Sequence, residues 1–142
     1  MLLGPTAVRA ADPFTIRLAG ATLADQTIAE SGFAFPAGSS TVYVVGDGNV
    51  AEQLVAGIAG GLGRSAVLAT PSSALSAAVS TELVRLKPAR VIVVGASVAE
   101  AVLASIRAAV PTASVGRTWK TNAIQSAVEI SKQLRGSTGG TL

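Results

Sequence analysis

The chain has 142 residues, a net charge of +3, 49% hydrophobic residues but only 4% aromatics, and neither cysteine nor histidine. That composition excludes disulfides, thiolate chemistry, cysteine-ligated zinc and any histidine-based catalytic dyad or triad. It leaves room for one domain whose core is built from Ala, Val, Leu and Ile.

The opening, "MLLGPTAVRAADPF", has Val8-Arg9-Ala10 in the style of a cleavage site. It lacks a basic leader and a long apolar run, so residues 1–14 are read as an N-terminal arm without a complete export signal of their own. A short strand is predicted at Thr15 to Leu18 and a weak helix near Leu23 to Ser31. "GFAFPAGSS" reads as a loop. Thr41 to Val45 is β-branched and lacks charge, as in a strand buried on both faces. A helix follows from about Val50 to Gly60, with Leu54, Ile58 and Leu62 as its apolar row and "GGLG" as its stop.

Ser65 to Ala69 is the next predicted strand, and Ser72 or Ser73 is placed to cap a helix ending near Leu86, before Pro88. Arg90 to Val94 is the clearest buried strand. Gly95 turns it into a helix from about Val98 to Ala109, with Val98, Val102, Ile106 and Val110 on one face. A short strand at Ala113 to Val115 and an amphipathic helix from Asn122 to Leu134 complete the pattern. Residues 136–142, "GSTGGTL", have linker composition. Alternating strands and helices over residues 15–135 imply a single α/β domain with a mostly parallel sheet flanked by helices, in Rossmann-like layers. No apolar run is long enough to span a membrane.

Gly46-Asp47-Gly48-Asn49-Val50-Ala51 fits G-x-G-x-x-A between a strand and a helix. A dinucleotide site also wants an acid at the end of the next strand, where this chain has Leu68-Ala69-Thr70-Pro71, and Asp47 puts a negative charge where phosphates would lie. A second strand–glycine–helix unit surrounds Gly95 and lacks the spacing. The glycines are therefore read as strand-to-helix geometry, and no cofactor or metal is expected. The acids Asp25, Asp47, Glu52, Glu82, Glu100 and Glu129 are scattered, and Ser72-Ser73 has no base in sequence, so catalysis is not expected either. Arg85, Lys87 and Arg90 around Pro88, and Arg117 and Lys120 flanking Trp119, read as solvated loop ends or, alternatively, as a weak preference for a polyanion, a wall polymer or nucleic acid.

With those residues in view, the chain resembles the cell-wall-binding repeat 2 family of bacterial surface proteins. Arg17-Leu18-Ala19-Gly20 matches the R-L-A-G opening of its repeats, with Thr22, Leu23 and Ala24 at the following Asp/Asn, Arg and Tyr places. Asn49 to Leu54 is similar to N-F-A-D-A-L, Ser65 to Thr70 takes the place of the P-I-L-L-T strand, and Val91 to Ala96 resembles V-I-I-V-G-G. A second copy of the opening begins at Arg117, with Asn122 and Ser126 to Ser131 completing it. The resemblance implies an α/β module that packs around a pseudo-threefold axis and holds proteins to anionic wall polymers. One module per chain then implies a homotrimer at the cell surface, with Arg17, Arg64, Arg117, Trp119 and Lys120 as candidate polymer contacts and no specific nucleic acid. The alternative is a virion structural protein, a capsid decoration or fibre component on the virion exterior.

Overall fold

The computed structural model describes residues 16–118 and 123–137. The elements in chain order are α1 (Leu23–Ala34), β1 (Thr41–Gly46), α2 (Val50–Gly63), β2 (Ala66–Thr70), α3 (Ala77–Leu86), β3 (Arg90–Val94), α4 (Glu100–Ala109), β4 (Ser114–Thr118) and α5 (Ala123–Ser137). The strands form one four-stranded sheet in the order β2-β1-β3-β4, with every neighbouring pair parallel. The predicted α/β layer structure is therefore correct.

The central strands β1 and β3 are buried along nearly their whole length, as their β-branched, uncharged sequences require. Val42, Val44, Leu68, Val91 and Val93 pack on one face against Leu83 and Leu86 of α3 and Val102 and Ile106 of α4. Tyr43, Val45, Ile92 and Val94 pack on the other against Val55, Ala56 and Ala59 of α2 and Ile130 of α5. The predicted α4 face, Val98, Val102, Ile106 and Val110, is wholly buried.

Several boundaries differ from the sequence reading, each for a local reason. Ile16 to Leu18 form no strand, because α1 lies along the outer edge of β2 where a further strand would pair. There the Thr27 hydroxyl accepts the Ala69 amide at 3.0 Å. This covers an edge that would otherwise invite intermolecular pairing. Helix α1 starts from a reciprocal capping box between Thr22 and Asp25 and outlasts its predicted end by one turn. Its last carbonyls are met by Arg85 of α3, which donates to Phe35 O at 3.0 Å while gripping Glu82 through both carboxylate oxygens.

Helix α2 does not stop at Gly60 but runs to Gly63 and ends on Arg64 in a left-handed conformation. Gly60 serves close approach instead: a Cβ there would lie 2.3 Å from Val67 Cγ2. The buried side of α2 is the small-residue side, Val55, Ala56, Ala59 and Gly60. That lets the helix sit low on the sheet and turns the Leu54–Ile58–Leu62 row outward. Helix α3 begins later than predicted, at Ala77, and its cap is Ser76, whose hydroxyl accepts from Val79 N at 3.3 Å. Ser72 has other work: its carbonyl accepts the Ala99 amide at 2.8 Å ahead of α4.

Candidate functional site

In an open α/β sheet the ligand crevice lies beyond the strand C-termini where the strand order reverses, here between β1 and β3. The two glycine turns meet at that point, and the protein fills it with its own groups. Glu52, in the first turn of α2, is only 7% exposed. Its carboxylate accepts the amides of Ala96 at 2.9 Å and Ser97 at 3.3 Å, and also accepts the Ser97 hydroxyl. These are amides that would hold a phosphate in a nucleotide-binding relative of this geometry.

Gly95 is required here twice over. Its φ is +78°, and a Cβ would fall 2.1 Å from the Glu52 carboxyl carbon. Gly46 is hemmed in by the hydroxyls of Ser97 and Ser72, at 2.5 and 3.0 Å from where its Cβ would stand. The G-x-G-x-x-A turn is stapled from within as well. Gln53 Nε2 donates to Gly46 O at 3.1 Å and Asp47 O at 2.9 Å, and Asn49 Oδ1 accepts the Glu52 amide at 3.2 Å. The Glu52 carboxylate, an internal anion, thus occupies the donors of the β3–α4 turn.

The second glycine unit repeats this arrangement one strand over. Glu100, in the same Val-Ala-Glu context as Glu52, reaches Arg117 Nη2 on β4 at 3.0 Å. Arg117 further donates to Gly95 O at 2.8 Å and Val98 O at 2.6 Å, with its side chain 7% exposed. Arg117, one of the predicted polymer contacts, thereby clamps the β3–α4 loop.

The other predicted contacts do not converge with it. Arg17 is exposed ahead of α1, and Arg64 is exposed before β2, at the sheet edge opposite Arg117. Trp119 and Lys120 lie outside the described residues.

Two surfaces flank α2. On one side a cleft of about 650 Å³ runs between α1 and α2, floored by Val67 and Ala69 and walled by Leu23, Phe35 and Gly57, with Arg64 and Glu30 at its rim. On the outer side Val50, Leu54, Ile58 and Leu62 form a ridge at every fourth residue, each between 63% and 73% exposed. Exposed Val128 of α5 lies on the helix packed beside it. The sequence signalled these residues by their spacing; what it did not signal was the direction they face.

Titratable groups near these elements are tuned by ordinary causes. Burial pushes the Tyr43 hydroxyl up, opposed by the charge of Arg90. Burial pushes Glu82 up too, but the Arg85 hydrogen bond, the Ser31 hydroxyl and the Arg85 charge together hold its carboxyl below the ordinary value. Among the described residues no group of three or more His, Cys, Asp and Glu side chains is placed to hold a metal ion. No helix among them is long and apolar enough to cross a membrane.

No family model matches the chain, and none of the curated proteins does. Among solved structures the chain is similar to Cwp6 from Clostridium difficile, at 22% identity with a TM-score of 0.78. The match takes in 92% of this chain and 22% of that one, so the chain spans less than a quarter of its neighbour's length. At this identity the likeness is one of fold.

Proposed function

We propose that the chain is a non-enzymatic surface module that assembles as a homotrimer and attaches to an anionic cell-wall polymer. The observation that carries this reading is the fold likeness: nearly the whole chain corresponds to one part of Cwp6, a cell-wall protein. The filled crevice agrees with a module that does no small-molecule chemistry, since its backbone amides are already bound to Glu52.

Assembly is supported by the α2 ridge. Burying such a row against another copy gains roughly 25 cal/mol for each Å² of apolar surface removed from water. The family resemblance sets the expected copy number at three, and placement at the cell surface follows from the same reading.

The test has two parts. Sedimentation velocity of the purified chain is expected to give a trimer, converted to monomer by Leu54→Gln with Ile58→Gln, with thermal stability of the subunit nearly unchanged because both side chains are exposed. A monomeric wild type at high concentration overturns the assembly. Co-sedimentation with purified bacterial cell walls, weakened by salt, is expected for attachment; absence of any retention at low salt overturns it.

A further inference from the structure

Because all four strands are parallel, their N-terminal ends share one edge of the sheet, and the helices that lead into β2, β3 and β4 end beside it. Basic residues collect at this edge. Arg64 ends α2, Lys87 ends α3, Arg90 opens β3 and Arg107 lies in the last turn of α4. Helix α5 adds Lys132 and Arg135 as it returns to the same end. The connecting segments are laced side by side: Arg90 N donates to Ser40 O at 3.0 Å and Ser114 N to Ala89 O at 2.9 Å. All of Arg64, Lys87, Arg90 and Arg107 are exposed, and among the described residues none of them is in an ion pair. The acids Asp25, Asp47, Glu52 and Glu100 sit at or just before the helix starts, at the other edge, whereas Glu82 is paired with Arg85 and Glu30 shares the cleft rim with Arg64.

Part of this polarity is what helix dipoles favour, since a cation at a helix C-terminus gains about 0.3–1 kcal/mol. Arg64 and Lys87 exceed that account. Both stand at left-handed backbone positions, with φ of 48° and 49°. That conformation costs a residue with a Cβ roughly 1–2 kcal/mol, and glycine is the usual helix terminator. A chain with 15 glycines nevertheless places long cations at both caps. Stability alone favours glycine at these two positions, and what the cations add is reach and charge. Strands β2 and β3 flank β1, so their starts lie roughly 10 Å apart, about one Debye length at 0.1 M salt.

We infer that the N-terminal edge of the sheet, centred on Arg64, Lys87, Arg90 and Arg107, is the face that binds a polyanion, a polymer carrying repeated phosphate or carboxylate groups. The inference rests on the attachment reading above and assigns it a place: the edge opposite the crevice where α/β sheets usually take ligands.

The experiment uses the full chain, inorganic polyphosphate and purified cell walls as probes, and the double variant Arg64→Gly with Lys87→Gly. Ala51→Glu with Ala101→Glu, both exposed at the other edge, lowers the net charge equally and serves as control. The glycine variant is expected to melt at or above the wild-type temperature, to bind polyphosphate at least about tenfold more weakly, and to show a shallower dependence of affinity on salt. The control is expected to keep at least half the wild-type affinity. Equal affinity of wild type and glycine variant, or equal weakening by the control, overturns the assignment. Wall retention that is the same in both variants leaves the attachment reading standing and the edge refuted. Polyphosphate binding lost in the glycine variant, without wall retention by wild type, leaves the edge standing and refutes attachment to walls.

Discussion

Replacing Gly95 by alanine tests whether the sheet's crevice is closed by Glu52. The new methyl group meets two penalties. Backbone at φ +78° costs a non-glycine residue roughly 1–2 kcal/mol. The Cβ would also stand 2.1 Å from the Glu52 carboxyl, so the carboxylate must leave the Ala96 and Ser97 donors. Losing even one charge-assisted hydrogen bond costs about 1.5–3 kcal/mol. The sum, about 2.5–5 kcal/mol, is a large share of the 5–15 kcal/mol typical of a domain and corresponds to a fall in Tm of roughly 8–20 °C. In a Glu52→Ala background the same substitution meets only the backbone cost, because the obstacle is gone. Urea denaturation of wild type, both single variants and the double variant should therefore give a coupling of about 2–3 kcal/mol. A coupling under about 0.5 kcal/mol means that the two residues act independently, and the account of a self-filled crevice is then wrong.

Glu82 should give the domain a distinct acid limb. Its carboxyl is held below the ordinary value of 4.5, so the unfolded chain takes up the proton first as pH falls. The stabilisation is complete above about pH 4.5 and is lost as pH drops through the lowered folded value. Glu82→Gln should flatten that limb in a pH series of thermal melts, and an unchanged slope would deny the Arg85–Glu82 pair this role. For Arg117→Gln, the clamp on Gly95 O and Val98 O predicts a stability loss of roughly 2–4 kcal/mol with polyphosphate affinity retained. A variant that melts like wild type but binds more weakly would return Arg117 to the binding surface.

The central strands β1 and β3 and the α4 face were legible because they obey local rules. Arg90 to Val94 is an uninterrupted β-branched run after its first residue, and Val98, Val102, Ile106 and Val110 keep helical spacing and are all buried. The orientation of helix α2 was not legible because the two rules that decide it conflict. Its larger side chains, Leu54, Ile58 and Leu62, mark the face that hydropathy would bury, whereas Val55, Ala56, Ala59 and Gly60 mark the face that can approach a sheet closely. Proximity to the sheet wins, and the displaced leucines become surface. Glu52 was hidden for a different reason. Its partners, Ala96 and Ser97, are brought to it only by the pairing of β1 with β3, and no spacing along the chain encodes that meeting. The cations at the two left-handed caps were equally silent, because a residue's φ cannot be read from an arginine or a lysine.

These features together divide the molecule by edge and by face. At the C-terminal edge the Glu52 carboxylate joins α2 to the turn after β3, and Glu100 with Arg117 joins α4 to β4. That network uses acids where helix N-termini favour them, and the exposed cations Arg64, Lys87, Arg90 and Arg107 lie at the other end. An acid-rich edge and an exposed basic edge on one small domain orient it in any anionic field, with the Arg64 and Lys87 caps leading. The α2 ridge runs along the side between the two edges. Self-association through that side would leave the basic edge uncovered, and every copy joined about a common axis along the strands would present it in the same direction. Several weak polyanion contacts on one assembly then act as one, so the affinity for a long polymer should depend on the integrity of the ridge as well as on the cations. In that case Leu54→Gln with Ile58→Gln, which removes no charge, should weaken retention on cell walls while leaving the affinity for a polyphosphate too short to bridge two subunits unchanged. Weakening of both to the same extent would place the ridge within the polymer-binding face itself.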